Sequence, residues 1–354
     1  MMHRNIRYYR VRKGLTVSEL AGAVSEKLES VFRYEAGEEM PDLKTARRIA
    51  LELGVRLADL MANSSSGHKY EHGGFLKRRG FSIRGQERVK IAVEDYLDRF
   101  FAVTELLGGK VLRDAPEVHK LKPSGDIEKD AQKLRRELGF SDSGAIPNLV
   151  SLLEDKGVLV IQLCDADGRF SGMNGLADGR PYVALNSMKT VERQRSTLAH
   201  ELGHIYFEHP YCRAGEWERY MTAVGGAFLF PAEDAFNELG KTRQTISADM
   251  LMVCAEYGIS LPLLVKRAHV LEIVSDVLYR QFKVQVSRSG HIKREQTIAN
   301  EERTRLFEQL VIRGICEGSM TKQRGAELLR VSSAEMDARL MPEGMLQLNG
   351  AIEQ

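Results

Sequence analysis

The five residues His200-Glu201-Leu202-Gly203-His204 constrain this chain more than any other stretch. On an α-helix, two side chains four apart project from one face about a turn from each other, so both imidazoles can hold one metal ion. Glu201 then sits on the adjoining edge, where its carboxylate can reach a water instead of the ion. This is the pattern of a hydrolytic Zn²⁺ site, with two nitrogen ligands, one further ligand and an open position. The flanks Thr197-Leu198-Ala199 and Ile205-Tyr206-Phe207 place apolar residues around the motif, as a helix packed on a core requires. The spacing therefore demands a helix from about Val191 to Phe207 and a third ligand supplied from elsewhere in the chain.

The extended motif H-E-x-x-H-x-x-G-x-x-H is absent: Phe207 stands at its glycine and Pro210 at its last histidine, and His209 misses by one residue. A glutamate from a following helix is the other common solution, and Glu208, Glu216, Glu218 and Glu233 compete for it on sequence alone. Ahead of the motif, Val158–Leu163, Phe170–Gly175 and Pro181–Asn186 read as three short strands separated by Gly and Asp turn signals. Helical patterns fill about 127–138 and 147–156 before them, and about 216–229, 246–257 and 261–271 after them. The strand Tyr182–Asn186 could offer an edge to an extended peptide. A weak strand pair is expected near Gln281–Val286 and His291–Lys293.

The chain has 354 residues, 43% of them hydrophobic, which is enough for two or three domains with real cores. No run of about 18 apolar residues occurs, and Met1-Met2-His3-Arg4-Asn5 leads into a helical pattern instead of a signal sequence, so a cytoplasmic protein without a membrane partner is expected. Cys164, Cys212, Cys254 and Cys316 are far apart and read as reduced, mostly buried thiols. The 51 basic residues are balanced by 49 acidic ones, for a net charge of +2, so charge alone makes no case for nucleic acid. His68, His72, His119, His269 and His291 lack ligand spacing and read as surface or structural residues, and Trp217 as a packing residue.

The first sixty residues make that case by motif. A first helix carries Ile6 and Arg10. Thr16 and Glu19 have capping-box spacing ahead of a short helix at about Val17–Ala23. A third helix at about Ser25–Glu35 stops at Ala36-Gly37, a fourth covers Thr45–Leu53, and a last one ends at Leu60. The set Gly14-Leu15-Thr16, Leu20-Ala21, Tyr34-Glu35-x-Gly37, Pro41, Ile49-Ala50, Leu53-Gly54-Val55 and Asp59-Leu60 resembles the Xre/Cro-type helix-turn-helix family. The resemblance implies that the helix at about Glu26–Tyr34 enters the major groove of an operator-type DNA site, with Lys27, Glu29, Ser30 and Arg33 contacting bases or phosphates. Glu26 and Glu29 would oppose phosphates there.

The segment Gln194-x-x-x-Leu198-Ala199-His200-Glu201-Leu202-Gly203-His204, together with Glu218, Ala227-Phe228-Leu229-Phe230-Pro231 and Leu149-x-x-Leu152-Leu153-Glu154-x-x-Gly157-Val158, is similar to the ImmA/IrrE family of metallopeptidases over about residues 125–275. That likeness implies Zn²⁺ held by His200, His204 and Glu218, with Glu216 the runner-up, and Glu201 as the general base. Tyr206, His209 and Tyr220 are candidates to stabilise the oxyanion. It implies an enzyme that cleaves a protein partner, a repressor or antitoxin by class. The alternative is a regulator or antitoxin whose peptidase-like domain senses without cleaving, and a homodimer is a candidate assembly.

The expected fold class is mainly α with a small sheet (α+β). A five-helix helix-turn-helix domain occupies 1–61 and a linker 62–84, with Ala62–His68 as its serine-rich part. A zincin-like metallopeptidase domain spans 85–275, led by a helix at about Gly85–Leu107 placed to bridge the two domains. A mostly helical C-terminal region spans 276–354, where Lys322–Leu329 and Ser332–Leu340 resemble a small helix-turn-helix-like tail and read as a packing or dimerisation element.

Overall fold

The computed structural model describes residues 2–61, 67–77, 80–109, 111–210, 212–289 and 299–341. Among them the fold is α+β, with seventeen helices and one four-stranded sheet. The chain forms two compact units: 1–69, 80–111 and 307–354 make the first, and 70–79 with 112–306 the second. Most of the serine stretch, 62–66, and the strand expected at His291–Lys293 lie outside the described residues. No helix among the described residues is long and apolar enough to cross a membrane.

The first unit begins with five helices: α1 (Met2–Lys13), α2 (Val17–Ala23), α3 (Leu28–Ala36), α4 (Leu43–Leu53) and α5 (Leu57–Met61). Ile6, Leu20, Val31, Ile49 and Leu60, one from each helix, meet in a fully buried core. Thr16 and Glu19 close the capping box at the start of α2, satisfying two backbone N–H groups that the helix cannot. Gly37 and Gly54 end α3 and α4 in the left-handed conformation that glycine adopts without a Cβ clash. α6 (Ile83–Leu106) joins this unit instead of leading the second one. The reason is electrostatic: Arg10 is buried and needs two carboxylates, taking one from Glu35 at 2.6 Å and the other from Glu87 on α6 at 2.6 Å.

The second unit holds the sheet, ordered β1-β3-β4-β2, formed by β1 (Tyr70–Lys77), β2 (Leu159–Leu163), β3 (Phe170–Ala177) and β4 (Arg180–Asn186). Asp178 and Gly179, both at positive φ, make the tight turn between β3 and β4. β4 then pairs in parallel with β2, so it lies inside the sheet and cannot present the free edge that the sequence offered it; the edges are β1 and β2. β1 itself lies in the stretch read as linker, which is thus partly sheet. Its Gly73-Gly74 pair interrupts the alternation that would reveal a strand, and the pairing register shifts there.

α8 (Leu149–Asp155) and α9 (Val191–Tyr206) pack on the sheet, and α7 (Ile127–Glu137), α10 (Ala214–Leu229), α11 (Ala232–Leu239), α12 (Asp249–Tyr257), α13 (Leu261–Val270) and α14 (Asp276–Ser289) complete the helices of this unit. α14 replaces the strand expected at Gln281–Val286. Leu278, Tyr279, Phe282 and Val286 pack on the core at three- and four-residue intervals, so burial follows the helical period. Cys254 is buried as expected, but Cys164, Cys212 and Cys316 are exposed.

The expected C-terminal region is divided. Residues up to 306 belong to the second unit, and α15 (Leu306–Cys316), α16 (Lys322–Leu329) and α17 (Ser333–Leu340) fall essentially in the first, where Phe307 packs edge-on against Tyr96 and Phe100 of α6. In the second unit Glu302 lies buried against the Arg195 guanidinium of α9, and its other oxygen accepts from Val150 N. Removing one member of such a pair leaves an uncompensated charge in the core. Glu302→Leu is therefore expected to lower stability by about 3–5 kcal/mol in urea unfolding. A loss below about 1 kcal/mol would show that Arg195 finds other compensation.

Candidate functional site

Thr190 starts α9 by accepting the Arg193 N–H, and the helix then runs without interruption through the motif to Tyr206. His200 and His204 project toward α10, which crosses α9 at close range because of two glycines. A Cβ at Gly225 would lie 3.1 Å from the His200 backbone nitrogen, and one at Gly203 would lie 2.7 Å from Met221 Sδ. That proximity brings Glu218 of α10 to the histidines.

His200 Nε2 lies 3.1 Å from His204 Nε2 and 3.2 Å from Glu218 Oε2, and His204 Nε2 lies 3.4 Å from Glu218 Oε1. Ligands held about 2.0–2.2 Å from a tetrahedral zinc ion would be roughly 3.3–3.6 Å apart, so the donor set fits such an ion. These three residues form the one possible metal cluster found among the described residues. Glu216, in the first turn of α10, is not part of it. His200 is nearly buried and Glu218 half-exposed, so the cluster opens to one side and is not sealed in an apolar interior. Burial pushes the His200 pKa down, toward the neutral imidazole that ligation needs, while hydrogen bonding to both histidines holds the Glu218 carboxyl well below its ordinary range.

No motif in the chain pointed to the groups that contact these side chains. Thr222 Oγ1 donates to the Glu218 carbonyl at 2.8 Å and lies 3.2 Å from His200 Nδ1. With the hydroxyl hydrogen so used, the oxygen can accept from Nδ1–H, and that tautomer would leave the Nε2 lone pair for an ion in place of the hydrogen bond to Glu218. Asn174 of β3 donates to Glu201 Oε2 at 2.5 Å, while Glu201 Oε1 is buried with no hydrogen bond. Burial raises the Glu201 pKa to about 7, against the opposing pull of Asn174 and His204. β3 passes this close to α9 because Gly172 has no side chain: a Cβ there would lie 2.4 Å from Thr197 Cγ2.

The aromatic candidates separate by position. Tyr206 lies on the opposite side of α9 from the two histidines, among core residues, with a buried hydroxyl and a pKa pushed up to about 12 by burial. Tyr220 donates to the buried Asp130 at 2.6 Å, tying α10 to α7. His209 Nδ1 lies 2.6 Å from the Pro210 carbonyl. Trp217 is buried, stacked on Tyr220 and edge-on to His204, which makes it a packing residue. A cavity of 1180 Å³ opens beside His200 and Thr222.

In the first unit, α3 begins at Leu28 with Lys27 as its N-cap. Lys27, Glu29 and Arg33 are exposed and Ser30 is half-buried, while Val31 and Tyr34 face the core. Arg33 pairs with Glu39 at 3.3 Å. Glu26 precedes the helix, and its carboxylate accepts from Arg48 at 2.5 Å and Thr45 at 3.0 Å, which removes one of the two acidic groups expected to oppose phosphates.

Residues 6–60 match the family model described as Helix-turn-helix, and residues 153–269 match the one described as IrrE N-terminal-like domain. No curated protein and no solved structure matches the chain. The chain therefore joins an Xre-type helix-turn-helix, the DNA-binding kind of module, to a metallopeptidase-like domain of the ImmA/IrrE type.

Partners that orient a ligating histidine typically contribute a factor of about 10–100 in metal affinity. Thr222→Val, which keeps the side-chain shape and removes the hydroxyl, is expected to weaken zinc binding by about that factor in a chelator competition. An unchanged affinity would mean that the hydroxyl does not orient His200.

Proposed function

We propose that this fusion of a helix-turn-helix domain to an ImmA/IrrE-type domain is a cytoplasmic regulatory zinc metallopeptidase, which binds an operator-type DNA site and cleaves a protein partner of the repressor or antitoxin class. The observation that carries the reading is the convergence of His200, His204 and Glu218 beside a buried carboxylate, Glu201, that ligates nothing. A domain that only senses has no need of that fourth group.

His200, His204 and Glu218 would hold the zinc ion. When bound, zinc supplies Lewis acidity that polarises a peptide carbonyl and makes water a better nucleophile. The chain's own residues account for the proton. Asn174 fixes Glu201 through Oε2, which leaves Oε1 to take a proton from the attacking water and return it to the leaving amine. Thr222 holds His200 in the tautomer that presents Nε2. In the DNA-binding domain, the N-cap Lys27, the exposed Glu29 and Arg33 and the half-buried Ser30 of α3 would meet the major groove.

Glu201→Gln keeps the shape of the side chain and removes its basicity. It is expected to retain zinc and to slow cleavage of the partner by roughly 100-fold or more, and a chelator should abolish cleavage by the native protein. Pull-down with this variant captures the uncleaved partner for the assay. If Glu201→Gln leaves the full biological output in place, the non-cleaving sensor becomes the correct reading.

For the DNA-binding face, Lys27→Ala and Arg33→Ala should each weaken operator binding across sequences and lower the slope of log affinity against log salt by about one. Binding titrations at several salt concentrations check this, and unchanged affinity and slope would remove α3 from the groove.

A further inference from the structure

The cavity beside His200 carries charge of one sign. Lys189, Arg193, Lys266 and Arg267 contribute to its wall, and no aspartate or glutamate does so among the described residues. The four cations are not equivalent. Arg267 is buried and committed to Glu128 at 2.7 Å and to the Phe230 carbonyl at 3.1 Å. Lys189 lies on the Gly168 carbonyl at 2.6 Å. Arg193, which also donates to Ser171 Oγ at 3.4 Å, and Lys266 are the two exposed cations of the four, while Lys189 is half-buried.

Helical geometry places these two with respect to the metal cluster and to the apolar wall. Arg193, Ser196 and His200 all line the cavity from α9, so Arg193 is two turns before the ligand on the same face, roughly 10 Å along the axis. Leu263, Lys266 and Val270 line it from α13 with the same spacing, so Lys266 stands between two apolar side chains. An extended chain advances about 3.3 Å per residue, which makes the separation of Arg193 from the cluster about three residues of bound peptide.

We infer that this cavity is the substrate-recognition subsite, and that it takes an extended peptide segment bearing a carboxylate about three residues from the bond cleaved, with apolar side chains next to it. The inference rests on the peptidase reading above and adds the substrate class. Arg193 and Lys266 are the specificity-determining residues: they pair with the peptide carboxylate while Leu263 and Val270 cover its apolar neighbours. A nucleic acid would meet the same charge, but the apolar α13 wall and the proximity to His200 favour a peptide.

The test separates binding from cleavage. The probes are two fluorescein-labelled nonapeptides, Ala-Leu-Glu repeated three times and Ala-Leu-Lys repeated three times, titrated by fluorescence anisotropy into the full chain carrying Glu201→Gln. The glutamate peptide should bind more tightly than the lysine one. Adding Arg193→Glu and Lys266→Glu should weaken the glutamate peptide by about tenfold or more and reverse the order of the two. Arg193→Gln with Lys266→Gln, neutral changes at exposed positions, should fall in between and guards against misfolding as the cause. Equal binding of the two peptides, or a glutamate peptide indifferent to either double variant, overturns the inference. So does a short labelled DNA strand that loses affinity in the double variants while the glutamate peptide does not.

A cleavage profile of the native zinc protein on a peptide library gives the second arm, with Asp or Glu expected about three positions from the cut. Cleavage without that preference overturns the subsite alone. Retained charge preference in binding, with no zinc-dependent cleavage of any peptide, overturns the peptidase reading alone.

Discussion

The closeness of α9 to α10 is the constraint on which the rest of the second unit depends. Two helices bearing ordinary side chains stand 8–10 Å apart, with a layer of atoms between their backbones. Here Gly225 and Gly203 remove that layer at the crossing, and Glu218 comes within about 3.4 Å of both histidines. Glu218, Met221, Thr222 and Gly225 recur at helical intervals, so the carboxylate of the cluster, the packing residue, the hydroxyl near His200 Nδ1 and the gap that permits the approach share one face of α10. A single interface thus brings together the His200, His204 and Glu218 cluster that could hold a metal ion.

The sheet does for Glu201 what α10 does for the histidines. β3 lies against α9 at Gly172 and delivers Asn174, which donates to one oxygen of the buried carboxylate. Such a buried carboxylate holds its proton more tightly than one in water, because burial penalises the charged form more than the donors from Asn174 and the Leu76 backbone restore it. The surroundings thereby set the basicity of Glu201 as well as its position. On the far side of α10, the bond from Tyr220 to the buried Asp130 anchors the helix to α7 and commits a hydroxyl that would otherwise have been open to other roles.

In the first unit one guanidinium has a comparable organising effect. Arg10 sits inside the helix-turn-helix and is charge-balanced by Glu35, at the end of α3, and by Glu87, on α6. Because a buried cation without both carboxylates is strongly unfavourable, α6 is an integral part of this unit. α15 adds to it through Phe307 on Tyr96 and Phe100. The unit that contains the DNA-binding motif is accordingly larger than the motif.

Local chemistry was written in the order of residues and could be read from it. The spacing of His200 and His204, the Thr16 and Glu19 capping box, the Asp178-Gly179 turn and the glycine stops at Gly37 and Gly54 act over a few residues, so the helices of the helix-turn-helix motif and the helix carrying the two histidines were legible. Preferring Glu218 to Glu216 needed the family likeness, because two acidic residues two apart on one helix differ only in where they point. Tertiary structure alone decided what depends on contacts between distant segments. β1 is a strand because β3 offers it an edge, in spite of its two glycines, and β4 is interior because β2 pairs with it. Asn174 and Thr222 matter only because β3 and α10 press on α9. α6 and α15 changed units because buried charge and aromatic packing act through space, which a pattern of neighbours along the chain does not record.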